Sequence, residues 1–310
     1  MSVAVIRSDG ALYALAEEWH DLFRRCPEAT PFQSPSWLLP WWYVFGTGRP
    51  VVATLRDSGR LAGVLPLYIL DDKVLPIGAG ITDYQDVLLE PGQPVDAASD
   101  LLAAALCDAG VVRCDLIDLP PGAMLLRAAS PSGWTAADYR SDPCPVLTLG
   151  RVPAGKRRDL RQYGHRADRI GGFATHIATP DTIETILPAL LALHEDRHPG
   201  RDARLRRFHE LAAPALLRDG LLRVHVLELR DRLAAGYYTL LARDRILFYL
   251  SGFDPAFARE SPGTLLMGEI IAQAAAENRG ELHFLRGNEP YKYAWGAEDR
   301  FNTGRSLTRS

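Results

Sequence analysis

The sequence predicts an α+β fold in which one structural unit occurs twice. Two β-rich runs interrupted by a short turn occupy residues 51–67 and 224–240. Such hairpins are antiparallel, which excludes a purely parallel sheet. Both runs contain Leu-Arg-Asp, a turn, Leu-Ala and a glycine in the same order. Two unrelated hairpins are the alternative, but the shared order and sequence favour two copies of one fold.

In the first half, a helix is predicted to begin at the N-cap Asp9, because the apolar residues after it fall on one helical face. This face consists of Leu12, Leu15, Trp19, Leu22 and Phe23. The hairpin turns at Ser58-Gly59, and residues 73–78 form a weaker third strand.

The second half follows the same plan of helices, a meander, a helix and a strand. Its predicted elements are a helix over 182–194, a helix that stops at Gly220, a third meander strand over 245–251, a helix from Ser261 or Thr264 to about Glu277, and a strand over 282–285. Apolar residues at helical spacing predict the helices, and a glycine at the end of a helix is a common stop signal.

Chain length favours two domains. A single hydrophobic core becomes too large for a chain of 310 residues. Proline and glycine cluster between Pro143 and Gly155, which marks the join. We therefore expect an N-terminal domain over residues 1–150 and a C-terminal domain over residues 151–310.

Charge and cysteine usage exclude several classes of protein. The chain contains 35 Lys and Arg against 38 Asp and Glu, a formal charge of −3, so no overall attraction to nucleic acid or an anionic membrane is expected. No apolar run reaches the roughly 18–20 residues that span a bilayer, and the first residues lack a signal-peptide pattern. The four cysteines are scattered without metal-ligand spacing. We expect a reduced, cytoplasmic, metal-free protein without membrane insertion or a nucleic-acid partner.

The first candidate site follows the strand that ends near Ser251. Next come Arg259-Glu260-Ser261-Pro262-Gly263-Thr264 and a helix. A helix that starts with proline and glycine leaves backbone N–H groups unpaired, and together with the helix dipole they suit a phosphate or pyrophosphate. A helix cap that binds nothing is the alternative.

Two further runs combine polar and phenolic side chains after predicted strands or turns. They are Arg286-Gly287-Asn288-Glu289-Pro290-Tyr291-Lys292 and Thr82-Asp83-Tyr84-Gln85-Asp86. The first run holds many charged, amide and phenolic groups close together, as the edge of an active site often does. The alternative is a solvent-exposed turn capped by aromatic residues. The carboxylates of the second could hold or activate an ammonium group, or could only cap a turn.

Cations end one helix and begin another. His194, Arg197 and His198 end a predicted helix, where positive charge is favourable without any substrate. Residues 156–161 begin a basic helix. Its cations could simply face the solvent, or they could bind a phosphorylated acceptor.

Taken together, the motifs resemble those of the CelD/BcsL-type acyltransferases, members of the GNAT superfamily and cousins of the FemX-like peptidoglycan transferases. The motifs occur in family order over nearly the whole chain. They are Pro31-Phe32-Gln33-Ser34-Pro35-Ser36-Trp37 with Trp41-Trp42, Gly63-Val64-Leu65-Pro66-Leu67, Asp83-Tyr84-x-Asp86, Ser261-Pro262-Gly263 and Gly287-x-Glu289-x-Tyr291-Lys292-x-x-Trp295.

The resemblance implies two tandem GNAT-like domains, each a mixed, mostly antiparallel sheet flanked by helices, with the acyl-donor site in the C-terminal domain. It also implies transfer of an acyl group from acyl-CoA, acetyl or longer, to an amine or hydroxyl. The donor pyrophosphate would contact Arg259, Ser261, Gly263 and Thr264. The pantetheine would run between the strand residues Tyr249, Leu250 and Ser251 and the strand over 282–285. The usual loop, Gln/Arg-x-x-Gly-x-Gly/Ala, has Pro262 and Thr264 in place of its last two small residues.

The proposed chemistry is direct attack in a ternary complex. Glu289 or Asp83 acts as general base, and Tyr291 protonates the leaving thiolate, as a phenol does in many GNAT enzymes. Lys292 stabilises negative charge or orients the acceptor, and backbone N–H groups near Leu250 and Ser251 polarise the thioester carbonyl. The predicted acceptor contacts are Tyr84, Asp86, His194, Arg197, Arg286 and Asn288.

Other functions fit the same residues. The acceptor could be a cell-envelope sugar, a peptide or a small amine, and the donor could sit on an acyl carrier protein. A FemX-like transferase that uses aminoacyl-tRNA is one alternative. A non-catalytic sensor or scaffold in exopolysaccharide assembly is the other.

Overall fold

The computed structural model describes residues 1–107, 109–150, 152–197, 200 and 202–309. The chain forms two units, one made of residues 1–142 together with the C-terminal segment from Phe301, and the other of Pro143–Arg300. Within the described residues, no helix combines the length and apolarity needed to cross a membrane.

The first unit contains a mixed sheet with helices packed against it. Its elements in chain order are β1 (Ser2–Ile6), α1 (Asp9–Ala14), α2 (Ala16–Arg25), a 3₁₀ helix (Pro31–Gln33), α3 (Pro35–Phe45), β2 (Arg49–Asp57), β3 (Arg60–Leu70), β4 (Lys73–Pro76), β5 (Leu88–Leu89), α4 (Val95–Cys107), β6 (Arg113–Leu119), α5 (Met124–Arg127) and β7 (Trp134–Pro143). The predicted hairpin is the β2–β3 pair, and the N-cap of α1 is Ser8 rather than Asp9, because the Ser8 hydroxyl accepts the Ala11 N–H at 3.4 Å.

The second unit repeats this plan. Its elements are β8 (Val146–Thr148), α6 (Ala154–Asp168), β9 (Phe173–Ile177), α7 (Ile183–Arg197), α8 (Arg204–Arg218), β10 (Leu222–Leu229), β11 (Arg232–Ala242), β12 (Arg245–Phe253), a 3₁₀ helix (Pro255–Glu260), α9 (Pro262–Ala276), β13 (Glu281–His283) and α10 (Pro290–Ala294). The sheet order is β8-β13-β12-β11-β10-β9, and β13 runs parallel to β12 while the other pairs are antiparallel. The apolar face of α9, with Leu266 and Ile270 fully covered, packs on this sheet.

The last strand, β14 (Phe301–Arg309), corrects the predicted domain boundary. The sequence assigns it to the C-terminal domain, but β14 pairs antiparallel with β6 of the first unit, with Leu307 opposite Cys114. The first sheet therefore has the order β1-β2-β3-β4-β6-β14-β7, with β5 paired to β3. The backbone hydrogen bonds of β6 need a partner on this side, and the C-terminal segment supplies it.

Candidate active site

A cavity of about 260 Å³ lies in the second unit, beside the start of helix α9. Its described lining residues are rich in aromatic rings and include two cations but no carboxylate. The lining residues are Lys156, Arg197, Tyr237, Ser251, Phe253, Ala258, Ser261, Pro262, Gly263, Thr264, Tyr291 and Trp295. Such an arrangement suits a ligand that carries both apolar and anionic groups.

A β-bulge in β12 decides which of its residues face the cavity. The register with β11 shifts so that Phe248 pairs with Thr239 and Leu250 with Tyr238, which leaves Tyr249 as the extra residue. Strict alternation would place residue 250 on the same face as Phe248. The bulge instead moves Ser251 to the face of Phe248, where Ser251 lines the cavity.

This bulge corrects two of the predicted donor contacts. The Tyr249 ring stacks edge-on against His209, with ring centroids 5.5 Å apart, away from the cavity lining. Leu250 is buried and likewise absent from the lining. Of the three predicted strand residues, Ser251 alone lines the cavity.

Strands β12 and β13 separate next to the cavity. Their parallel pairing ends at Leu247 and His283, whereas β12 continues to Phe253. The pairing of β12 with β11 extends to this end of the strand, so one edge of β12 is left open beside the cavity. The resemblance implies a separated pair of strands at an acyl-donor site, and whether a donor binds here stays a prediction.

The start of α9 forms one wall of the cavity. Ser261 adopts the left-handed region, with φ 52°, and its carbonyl accepts the N–H groups of Thr264 and Leu265. The Tyr237 hydroxyl donates to the Gly263 carbonyl at 2.8 Å. A Cβ atom built on Gly263 would meet that hydroxyl at 3.2 Å, so a glycine allows the close approach of strand β11 to the helix.

Two cations of the lining lie over aromatic rings. The Arg197 guanidinium is 4.5 Å from the centroid of the Phe253 ring, and the Lys156 ammonium is 5.1 Å from that of Trp295. Lys156 also has Asp159 at 3.8 Å. Arg259, by contrast, is exposed outside the lining, and its carbonyl accepts from Arg166 at 3.0 Å, so the structure does not bring its side chain to the predicted donor contact.

The buried Tyr237 and the 44% exposed Tyr291 of the cavity both carry phenols with a raised pKa, so both are protonated at neutral pH. Desolvation raises the pKa of Tyr237, and the nearby Tyr291 raises it further, while Arg197 opposes the shift. Desolvation also raises the pKa of Tyr291, with a second contribution from the charge of Glu289. A protonated phenol in contact with the cavity is a hydrogen-bond donor and a potential general acid.

Lys292 has a structural position that corrects its predicted role. Its side chain is only 2% exposed. Its ammonium donates to the carbonyls of Leu285, Arg286 and Gly287 at 3.2, 2.7 and 3.0 Å and pairs with Glu289 at 2.8 Å. The ammonium therefore holds the loop before α10 and is not available to orient an acceptor.

The remaining residues of this loop lie outside the cavity lining. Glu289 is half-exposed, pairs with Lys292 and acts electrostatically on Tyr291. Asn288 is exposed, and Arg286 is partly buried with its carbonyl bound to Lys292. The structure therefore does not bring Arg286 and Asn288 to the cavity.

His194 supports the bulged strand from the other face. Its Nδ1 atom lies 2.7 Å from the Ser251 carbonyl, and because a carbonyl only accepts, Nδ1 carries the proton. His194 is a positioning residue for β12 rather than a lining residue, whereas Arg197 from the end of the same helix does line the cavity. His198 lies outside the described residues.

The predicted acidic run of the first unit serves the packing of that unit. Asp86 accepts the N–H groups of Val87, Met124 and Leu125 at 2.9, 2.7 and 3.1 Å, which fixes the start of α5. Tyr84 is buried against Phe32, with ring centroids 6.2 Å apart. These contacts correct the predicted substrate contacts of Tyr84 and Asp86.

Asp83 of the same run is also buried, and its carbonyl accepts from the Asn302 amide at 2.6 Å. Among the described residues, no cluster of three or more His, Cys, Asp or Glu side chains could hold a metal ion.

Sequence reasoning missed Tyr237 and treated Lys156 only as part of a basic run. The meander places Tyr237 opposite Ser251, a pairing that a hairpin register would have revealed. No sequence signal indicates that Lys156 approaches Trp295, because the two residues are far apart along the chain.

Residues 154–293 match the family model of an acetyltransferase (GNAT) domain. Three solved structures share the fold at low identity. FemX has a TM-score of 0.66 at 11% identity and covers 98% of this chain and 97% of its own. A C-terminal (DUF2156) domain from Agrobacterium fabrum, assigned to a lysylphosphatidylglycerol synthetase, has a TM-score of 0.66 at 14% identity, with 96% and 92% covered. L-PGS from Bacillus licheniformis has a TM-score of 0.65 at 11% identity, with 94% and 91% covered.

No curated protein sequence matches the chain. The predicted fold class, two mixed sheets flanked by helices, is confirmed by the structure and by these likenesses. The part of the second unit over residues 154–293 is thus similar to a GNAT-type acetyltransferase domain, and all residues lining the cavity beside α9 except Trp295 lie in this range.

Proposed function

We propose that the protein is a CelD/BcsL-type acyltransferase that moves an acyl group from acyl-CoA to an amine or hydroxyl of an acceptor. One observation carries the proposal: the open edge of β12, the start of α9 and the Tyr291 phenol meet at one cavity. The chemistry of transfer needs a channel for the thioester arm, an anion site and a proton donor, and these three features supply them.

The lining residues fit an anionic thioester donor. Lys156 and the Gly263 N–H at the start of α9 would hold its phosphates, since the described lining residues include cations and no carboxylate. Ser251 and the open edge of β12 would lie along the pantetheine arm. The donor supplies an electrophilic carbonyl carbon with a thiolate as leaving group.

Two residues of the α10 region would move protons. The acceptor nitrogen forms a bond to the carbonyl carbon, and Glu289, which lies outside the cavity lining, takes the proton that this nitrogen loses through a water. When the carbon–sulfur bond breaks, Tyr291 gives its phenolic proton to the sulfur. Asp83, the other predicted base, lies in the first unit and is buried there, so Glu289 is the base proposed for this cavity.

Donor binding is the first test of this function. Acetyl-CoA and octanoyl-CoA are titrated into the wild-type protein, Gly263→Ala and Gly263→Glu by calorimetry. The alanine Cβ needs a shift of only a few tenths of an ångström from Tyr237, so this variant should bind like the wild type. The glutamate adds a carboxylate beside the proposed phosphate position and should abolish binding.

Turnover is measured in the same preparations as thiol release with amino sugars, peptides and small amines. No binding of either CoA ester to folded wild-type protein would refute the proposal. It would shift the function towards an aminoacyl-tRNA donor, which a titration with aminoacylated tRNA then tests. Binding of a CoA ester without thiol release, even by slow transfer of the acyl group to water, would favour the non-catalytic sensor or scaffold.

A further inference from the structure

Helix α6 presents an exposed arginine face next to the cavity. The face consists of Arg157, Arg158, Arg161 and Arg169. In the part of the chain that the structure describes, none of these four has a carboxylate within ion-pair distance. Arg157 donates to the Val152 carbonyl at 2.6 Å. Other surface arginines do pair, for example Arg206 with Glu195 at 2.6 Å.

These charges oppose the stability of the helix that carries them. The first turn of α6 contains Lys156 and Arg157 and no acidic residue, although the N-terminal end of a helix favours negative charge. Arg157 and Arg161 are four residues apart, where like charges repel. Residues 154–169 hold six Lys and Arg against two Asp, whereas the whole chain has a formal charge of −3. An anionic partner would relieve this repulsion.

The arginine face begins at the end of α6 that lies beside the cavity. Lys156 of the same helix lines the cavity, and Arg166 binds the carbonyl of Arg259 in the segment that precedes α9. A helix of 15 residues is about 22 Å long. The face therefore extends along α6 as far as Arg169, which directly follows the last residue of the helix.

We propose that the arginine face docks an acidic helix of an acyl carrier protein, which delivers the acyl group on its phosphopantetheine arm. The inference rests on the proposed function, because the arm would enter the same cavity. An arginine fork pairs with carboxylates in a bidentate manner, and one acidic helix matches the length of the face. On transfer, the carbonyl–sulfur bond breaks, the acyl group bonds to the acceptor nitrogen, and the thiol stays on the carrier.

The aromatic side chains near the face argue against a nucleic acid as the partner. Single-stranded nucleic acid needs open aromatic faces on which bases stack. Here Arg197 lies over Phe253, and Lys156 lies over Trp295, which is only 2% exposed. Among the described lining residues, Tyr291 is the one exposed ring, at 44%, and a single ring does not form a platform for successive bases. We therefore do not propose tRNA as the partner, and tRNA binding is one of the outcomes that the test distinguishes.

The test measures binding of acetylated acyl carrier protein by calorimetry at low salt, with acetyl-CoA titrated in parallel. The variant is Arg158→Glu/Arg161→Glu. Its matched control is Arg49→Glu/Arg218→Glu, which reverses two exposed arginines on β2 and α8 that have no ion-pair partner among the described residues. Circular dichroism and thermal unfolding establish that both variants are folded, and a negative charge near the start of α6 should not weaken the helix.

The expected result is a loss of at least tenfold in carrier-protein affinity for Arg158→Glu/Arg161→Glu. The control should stay within twofold, and the acetyl-CoA affinity of both variants should stay within twofold. Because the contact is between charged groups, raising the salt should weaken binding of the carrier by the wild type and the control.

Three results would overturn the inference. They are equal carrier affinity in all proteins, loss of acetyl-CoA affinity in the α6 variant without carrier binding, and binding of total tRNA instead of the carrier. Donor binding by the Gly263→Glu variant distinguishes failure of this inference from failure of the proposed function. If the α6 variant loses the carrier while Gly263→Glu leaves both donors bound, the docking surface stands and the proposed donor site does not.

Discussion

Replacing Lys292 by methionine should destabilise the second unit strongly. Methionine keeps an unbranched, apolar stem of similar length in a position that is 2% exposed, but it removes the ammonium group. Three carbonyls and the Glu289 carboxylate then lose a donor that lies 2.7–3.2 Å away. The loop also contains Leu285 at φ 59° and Gly287 at φ 109°, conformations that these contacts help to hold.

The loss in free energy of unfolding depends on how many acceptors the Lys292 ammonium binds and on their charge. Hydrogen bonds to a charged group contribute about 1.5–3 kcal/mol each, but they share one ammonium and are not additive. Removing one partner of a buried charged pair costs about 3–5 kcal/mol. Since Glu289 is half-exposed and can regain water, we expect roughly 3–4 kcal/mol. For a unit of this size that corresponds to a melting temperature lower by roughly 6–16 °C.

The assay is thermal and urea-induced unfolding, with hydrogen exchange over residues 284–292 to assign the change to this loop. Lys73→Met is the matched control, because Lys73 is 42% exposed and lies 3.5 Å from Asp115, and it should change stability by less than about 0.5 kcal/mol. A loss below about 1 kcal/mol for Lys292→Met, or an equal loss in the control, would refute the reasoning.

Three further predictions concern the proton donor, the first unit and pH. Tyr291→Phe should lower the rate of thiol release by about 10²–10⁴-fold at unchanged acetyl-CoA affinity; normal turnover would remove Tyr291 from the mechanism, and Glu289→Gln is judged in the same way. Asp86→Ala leaves three backbone N–H groups without their acceptor and should destabilise the protein by about 1–3 kcal/mol with unchanged donor affinity; lost turnover in a fully stable variant would restore a substrate role. Burial lowers the pKa of His209 from 6.5 to about 3, so the unfolded chain binds the extra proton and stability falls as the pH drops below about 6.5. His209→Phe should reduce the change in the urea midpoint of unfolding between pH 7 and 4.5. An equal change in the wild type and the variant would contradict this.

Local sequence patterns predict the meanders and the main helices, because hairpin turns and helical periodicity act over few residues. They cannot predict the partner of β14. Residues 301–309 pair with a strand nearly two hundred positions earlier, and only the unpaired edge of β6 decides that contact. The predicted domain boundary was wrong at this segment for that reason.

The site shows the same limit at the level of single side chains. The position of Tyr291 in a dense polar run, directly after a strand, predicts that it belongs to the site. The run does not indicate that Lys292, its neighbour, points into the protein and holds the carbonyls of Leu285 and Gly287. A lysine can be buried only where the fold supplies enough hydrogen-bond acceptors for its ammonium. The local sequence does not indicate whether those acceptors are present.

The cavity beside α9 forms where the chain departs from regular backbone geometry. Tyr249 is the extra residue of a bulge, Ser261 adopts a left-handed conformation before a proline, and Leu285 does so after β13. Each departure has a consequence at the cavity: the bulge turns Ser251 inward, the Ser261 cap presents the start of α9, and the loop at Leu285 places Tyr291. Such conformations persist only when surrounding contacts hold them, as Lys292 holds Leu285 and His194 holds Ser251. Residues that never touch a substrate therefore fix the geometry of those that would, and we expect substitutions at His194 to alter donor affinity through β12 alone.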